Sequence, residues 1–192
     1  SFQAPTFNQL YYPGFGNTAL VPQKNRAAEL GLKYRSGEVS MGAVVYNNDI
    51  QGFIIPTTNV QSSLAVLRGV TLTGDVQAGD TTYSLSYDYA DPRSYSTNPA
   101  ANDLRLVRIA RNVFNARVTQ QLGSFNVFGE LKVSGDREDN NLTFSGRDLL
   151  PGYTLLNLGV NWKLQKHVAL LGRINNLTDA QYNLANGFSM PG

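Results

Sequence analysis

A chain of 192 residues without cysteine has no disulfide, no thiol nucleophile and no cysteine-ligated zinc. Its net charge of +2 is dispersed over 16 basic and 14 acidic side chains with no basic block, which excludes a nucleic-acid footprint. Its longest apolar runs, such as Val168-Ala169-Leu170-Leu171, fall far short of the about 20 residues that a spanning helix needs. A mean hydropathy of −0.25 remains compatible with membrane strands, because these alternate apolar and polar residues.

The chain opens with a polar connection from Pro5 to Asn25. Weak period-two alternation from Arg26 to Arg35 and from Val39 to Asn47 predicts two strands, joined by the short turn Arg35-Ser36-Gly37-Glu38. A long connection from Ile50 to Ser63 leads to a pair at Gly69 to Gln77 and Thr82 to Ala90, turned at Gln77-Ala78-Gly79-Asp80. In the second of these, Tyr83, Leu85, Tyr87 and Tyr89 oppose Thr82, Ser84, Ser86, Asp88 and Ala90. A long polar stretch from Asp91 to Asp103 follows. The segment Leu104 to Arg111 reads as strand or loop edge rather than as a helical turn, because alternation resumes directly after it. Strands at Asn112 to Gln121 and Ser124 to Ser134 meet at Leu122-Gly123, and Gly135 to Pro151 is again long and polar. From Thr154 to Leu164, Leu156, Leu158, Val160 and Trp162 oppose Leu155, Asn157, Gly159 and Asn161. A turn at Gln165-Lys166 leads to a last strand from His167 to Asn175, and Thr178 to Gly192 is a final polar stretch.

Roughly eight strands of nine or more residues therefore alternate short and long connections. Short turns at one end and long loops at the other mark a membrane barrel, and the length suits a tilted spanning strand. The expected class is all-β, an antiparallel transmembrane β-barrel. A soluble sandwich or lipocalin-like barrel shares the alternation but has no reason to keep its long loops at one end. Tyr34 and Trp162 near the turn ends, and Tyr89 and Tyr153 near the loop ends, fit aromatic girdles at two interfaces.

Signs of chemistry are few. The single histidine, His167, sits beside a turn with no ligating partner nearby. Tyr12-Pro13-Gly14-Phe15-Gly16-Asn17 is a turn signal, not a phosphate loop. Asp136, Glu138 and Asp139 are clustered oxygen donors without calcium-loop spacing, and Asn141-Leu142-Thr143 and Asn176-Leu177-Thr178 match a glycosylation pattern that arises often by chance. No catalytic set, metal site or cofactor site is assigned. The long connections are instead rich in aromatic and amide side chains, which suit a large, partly apolar, hydrogen-bonding ligand or simply favour turns and solubility. Tyr11, Tyr12, Phe15 and Asn17 in the first, Tyr95 and Asn98 in the third, and Tyr182 in the last are the candidate ligand contacts.

The opening Ser1-Phe2-Gln3-Ala4-Pro5-Thr6-Phe7-Asn8-Gln9-Leu10-Tyr11-Tyr12 resembles a signature late in the barrel of TonB-dependent receptors. It continues through Leu20-Val21-Pro22-Gln23-Lys24-Asn25 to Glu29-Leu30-Gly31, with Gln23 where that family usually has Glu. Arg68-Gly69-Val70, Leu150-Pro151-Gly152-Tyr153-Thr154 and Arg173-Ile174-Asn175-Asn176-Leu177-Thr178-Asp179-Ala180-Gln181-Tyr182 resemble later strand motifs, in order along the chain. Leu10-Tyr11-Tyr12-Pro13-Gly14-Phe15-Gly16-Asn17 is similar to the cobalamin-transporting branch.

The resemblance implies the C-terminal strands of a wide barrel of about 22 strands with a plugged lumen. It implies uptake of cobalamin or another large metal chelate across the outer membrane, energised by TonB through a plug domain, with lipid around the wall and no covalent chemistry. On this reading residues 1–192 are barrel throughout, with the plug and a final strand beyond Met190-Pro191-Gly192 absent. Two alternatives stand beside it: a ferric siderophore or haem receptor of the same family, and a small eight-strand barrel with an adhesive or structural role.

Overall fold

The computed structural model describes residues 1–55 and 59–190. Pro56, Thr57 and Thr58, inside the predicted connection from Ile50 to Ser63, lie outside the described residues. So do Pro191 and Gly192, from which a final strand is expected to continue.

All eight predicted strands form, and most are longer than their alternation suggests. They are β1 (Gln23–Ser36), β2 (Val39–Gln51), β3 (Leu64–Ala78), β4 (Thr81–Tyr95), β5 (Asn112–Leu122), β6 (Phe125–Ser134), β7 (Tyr153–Gln165) and β8 (Val168–Ile174). Each pairs antiparallel with its neighbours in sequence order, giving one continuous sheet from β1 to β8. Phe2–Gln3 adds to the outer edge of β1, and Leu104–Arg105 adds to β4 above the end of β5. Among the described residues the path does not close on itself.

Four tight turns sit at one end. Gly37, Gly79 and Gly123 each open a two-residue turn at φ 53°, 57° and 59°, where a side chain would be strained. A first turn residue with positive φ matches the right-handed twist of the flanking strands. The fourth turn, Lys166-His167, has no glycine, and the β7–β8 ladder shifts register between Lys163 and Gln165 beside it.

Register fixes the faces. Leu158 lies opposite Gly129, and Gly129 opposite Val118, while Asn157 lies opposite Glu130, and Glu130 opposite Arg117. One face of the sheet therefore carries Leu30, Leu32, Val45, Val70, Leu72, Leu85, Val118, Leu131, Leu156, Leu158, Val160 and Leu170. The other carries Glu29, Thr71, Asp75, Ser84, Asn115, Arg117, Glu130, Lys132, Asn157, Lys163 and Arg173. Leu30 and Leu32, 74% and 72% exposed in the middle of a strand, have an environment only if that face meets hydrocarbon. No helix is long and apolar enough to cross a membrane among the described residues.

Two features depart from expectation. Phe7–Tyr11 is a short helix, α1, inside the first polar connection. Thr6 accepts from the Gln9 amide and Gln9 reaches back to the Thr6 amide, a reciprocal cap in T-x-x-Q that polarity alone hides. Tyr153 lies opposite Ser134 on the polar face and stacks on Tyr182, so it is not part of a lipid girdle. Trp162 and Phe125, opposite each other near the turn end, stack at 5.2 Å on the apolar face as an interfacial pair.

Candidate functional site

The polar face holds one organised cluster. Arg117 and Arg173 clamp Glu130 at 2.7 and 2.6 Å. Phe128 lies flat over Gly159, its partner across the ladder, where a Cβ would collide with the ring. The Arg117 guanidinium covers that ring at 4.1 Å. Tyr46 reaches over Gly69 four ladders away, so these two glycines of the polar face each make room for a ring from the adjacent strand. Asp75, Asn115, Lys132 and Asn157 complete a charged depression of about 550 Å³ on the lumen side.

Above the sheet, the long connections form two bodies. In the first, the α1 loop packs on the segment after β2 through Asn59. This residue is buried with φ 51°, a conformation asparagine tolerates better than most. Its side-chain amide donates to the carbonyls of Gln9 and Phe15 at 2.7 and 2.8 Å, and its own carbonyl accepts from Asn17. Gln61 donates to the Val21 and Gly52 carbonyls and accepts from the Val21 amide, while Leu20 and Ile54 are buried nearby.

The second body gathers the other three connections. Arg137–Asn140 pairs with Arg147–Leu150, and Tyr182–Ala185 pairs with Phe188–Met190. Asp139, fully buried, joins them: it accepts from Arg108 Nε at 3.0 Å and from the amides of Asn140 and Asn186 at 2.8 and 2.7 Å. The acidic triplet weighed as calcium ligands is thus an anchor for arginines, with Glu138 on Arg147 and Asp136 on Arg105. Among the described residues no group of three metal-ligating side chains converges.

Between the bodies opens an apolar pocket of about 630 Å³. Phe53, Ile55, Leu104, Ile109 and Phe144 line it, together with Arg108 and Arg147. The sequence reading missed this pocket. Its only signal was an apolar, arginine-punctuated run, Leu104 to Arg111, inside a connection that is otherwise polar.

The seven candidate ligand residues are not brought together. Tyr11, Tyr12 and Phe15 project from the first loop body, each about half exposed. Asn17 is spent holding Asn59, and Asn98 caps the short turn Pro99–Ala101 by accepting from the Ala100 amide. Tyr95 ends β4 on the apolar-face side of the sheet, and Tyr182 stacks on Tyr153 at 4.2 Å.

A sheet of long antiparallel strands with lipid on one face, a charged lumen on the other, tight turns below and large loops above defines a transmembrane β-barrel wall of the bacterial outer membrane. Residues 1–177 match the family model of the TonB dependent receptor-like β-barrel, and the chain belongs to that family. The vitamin B12 transporter BtuB of Vibrio vulnificus (strain YJ016) is 29% identical over 195 residues, covering 96% of this chain. The chain spans about 30% of that relative's length. Among solved structures, the copper transporter OprC superposes with a TM-score of 0.77 at 18% identity, covering 100% of this chain and 34% of that one. The FrpB iron transporter from Neisseria meningitidis (F5-1 variant) gives 0.74 at 14% identity, covering 91% and 31%. The ferric yersiniabactin uptake receptor FyuA from Yersinia pestis gives 0.67 at 18%, covering 86% and 26%.

Proposed function

We propose that the chain forms part of the C-terminal barrel wall of an active-transport receptor for cobalamin or a related corrinoid. On this proposal the receptor's plug lies against the lumen-side cluster, and TonB supplies the energy through it. The observation that carries the substrate is the 29% identity to a vitamin B12 transporter across 96% of the chain. The loop layer supports it. An apolar pocket of about 630 Å³ with a few polar groups in its lining suits part of a large chelate, and Tyr11, Tyr12 and Phe15 offer exposed rings on the first loop body. Tyr182 is the fourth contact proposed. Binding and conformational work require no bond making in the ligand, so we assign no catalytic residue.

One observation favours a second reading. Arg108 and Arg147 line the pocket, and the guanidinium donors not used on Asp139 and Glu138 would suit an anionic ferric siderophore better than a corrinoid. The test is direct binding of cyanocobalamin, a ferric catecholate and haem to the intact receptor, before and after replacing Tyr11, Tyr12 and Phe15 with Ala. Tight cyanocobalamin binding, weakened by the triple substitution in a normally folded barrel, is expected. Selective siderophore binding lost with Arg147→Gln would replace the corrinoid reading.

A further inference from the structure

Backbone strain in this chain gathers at the loop pocket. Among the described residues six positions other than glycine hold a positive φ: Asn59, Asp103, Arg108, Phe144, Asn176 and Asp179. Four of these are Asn or Asp, whose short polar side chains make the left-handed region tolerable. Arg108 at φ 64° and Phe144 at φ 56° have no such relief. A bulky side chain in this conformation is costly and persists only where its surroundings over-determine it. Both residues line the same apolar pocket, together with Phe53 and Ile55 of the other loop body.

The two differ in what holds them. Arg108 is tied by its own groups: its amide donates to the Glu138 carbonyl at 2.7 Å and its guanidinium to Asp139 at 3.0 Å. Phe144 is held by its neighbours. It sits in residues 141–146, the segment that joins the paired strands Arg137–Asn140 and Arg147–Leu150. The Asn141 amide donates to the Gly146 carbonyl at 2.9 Å, and the Phe144 amide donates to the Asn141 carbonyl at 3.0 Å. Asn141 Oδ1 accepts from the Ser145 amide at 2.9 Å and from the Thr143 hydroxyl at 3.1 Å. Leu142 is braced from outside by Gly187, where an added Cβ would come within 2.9 Å of its side chain. None of these contacts uses the Phe144 ring. That ring lines the pocket yet stays 64% exposed, so burial within this chain does little to offset the strain. Asparagine or glycine at 144 would make the same turn at lower cost.

What phenylalanine adds at this position is therefore the ring itself, held in the pocket lining by a closed turn. We propose that Phe144 is a specificity-determining ligand contact, its ring stacking on a flat conjugated face of the bound chelate. The inference rests on the receptor reading above and adds to it a residue and the kind of ligand surface that residue selects. A ring stacked on a flat face gains more than its buried area alone provides, and a ring whose loop is already ordered loses little freedom on binding.

The experiment measures equilibrium binding of cyanocobalamin to the intact receptor and to its Phe144→Tyr and Phe144→Asn variants. Asparagine keeps the turn and relieves the strain but removes the ring, so a purely structural role predicts no loss. Phe144→Asn is expected to weaken binding about tenfold, and Phe144→Tyr to stay within about twofold of the unaltered receptor. Amide exchange over residues 141–146 is expected to be no faster in Phe144→Asn. Undiminished affinity in Phe144→Asn, or an equal loss in Phe144→Tyr, would overturn the assignment. So would weaker binding accompanied by faster exchange in 141–146, which would make Phe144 a support of the loop rather than a contact. If the unaltered receptor binds a ferric catecholate or haem in place of cyanocobalamin, the corrinoid reading fails by itself. The same variants then decide Phe144 on that chelate: a loss confined to Phe144→Asn upholds the contact, and no loss removes it. A receptor that binds none of the three would sink both readings.

Discussion

The strand wall and the loop layer solve the burial problem in opposite ways. In the wall, β1 and β8 have almost no buried side chain, and of the long strands' lower halves only Phe128 is buried against its own sheet. Its apolar residues face outward because hydrocarbon takes the place of a core. The loop layer stands in water and must build its own interior: Leu20, Ile54, Leu106 and Leu150 are buried there, together with Asn59, Ser62, Arg137 and Asp139. So the wall is specified by alternation, and the loops by a few buried polar groups whose partners are far away in sequence. Mutations should separate the two.

The largest effect is expected in the wall. Leu158 faces lipid at mid-strand, whereas Asn157 beside it faces the lumen next to Glu130. A lysine on the lipid face at mid-bilayer costs about 2–4 kcal/mol. Leu158→Lys should sharply reduce the folded, heat-modifiable receptor recovered from vesicles, and Asn157→Lys should not. Equal losses would show that the faces are exchanged or that both meet water.

Next comes Asp139. Asp139→Ala removes the acceptor for two backbone amides and for the Arg108 guanidinium. Arg108 is about half exposed and can be rehydrated, so the cost is dominated by the buried amides, on the order of 2–3 kcal/mol. Barrel insertion should be unchanged, while protease cuts appear in 104–111, 135–150 and 182–190 together. Cutting confined to one of these segments would show that Asp139 does not couple them.

Asn59→Ala should act on the other loop body alone. It removes two side-chain hydrogen bonds and places alanine at φ 51°, for about 2 kcal/mol in total. Faster amide exchange over residues 9–17 with unchanged exchange over 135–150 is expected. If both bodies loosen, they form one cooperative unit rather than two.

The contrast also explains what was legible beforehand. Each wall strand was readable because period-two alternation has one cause, lipid on one side and lumen on the other. It failed at the upper strand ends. β4 runs to Tyr95 and β3 begins at Leu64, well beyond the predicted Ala90 and Gly69. There the ladder continues into the aqueous layer, where Arg68, Asp91 and Arg93 replace apolar residues on the outward face and erase the signal. The predicted loops were correspondingly too long. The ligand candidates were chosen by residue type, and type does not distinguish Tyr11, exposed, from Asn17 or Asn98, whose side chains hold loop backbone. The polar pairings that shape the pocket, Asn59 with Gln9 and Asp139 with Arg108, span 50 and 31 residues and leave no periodic trace.

The smallest effect tests whether local capping or tertiary support holds α1. Thr6 accepts from the Gln9 amide at 3.2 Å, and Gln9 Oε1 accepts from the Thr6 amide at 2.8 Å. A helix of five residues cannot sustain itself by propagation, since nucleation is unfavourable and so few bonds follow it. Yet Gln9 is also held from outside: its carbonyl accepts from Asn59 Nδ2 at 2.7 Å and from the Asn17 amide at 2.8 Å. If the cap acts in addition to these contacts, Thr6→Ala should cost about 1 kcal/mol locally, the usual worth of an N-cap. That corresponds to about fivefold faster exchange of the amides in Phe7–Tyr11. Residues 17–22 and the barrel itself should be unaffected. Because Tyr11 lies at the end of this helix and Tyr12 is its C-cap, the same substitution should weaken cyanocobalamin binding slightly if those rings contact ligand. Unchanged exchange in α1 would mean that Asn59 alone sets its conformation, and the loop body would then be tertiary from its first turn.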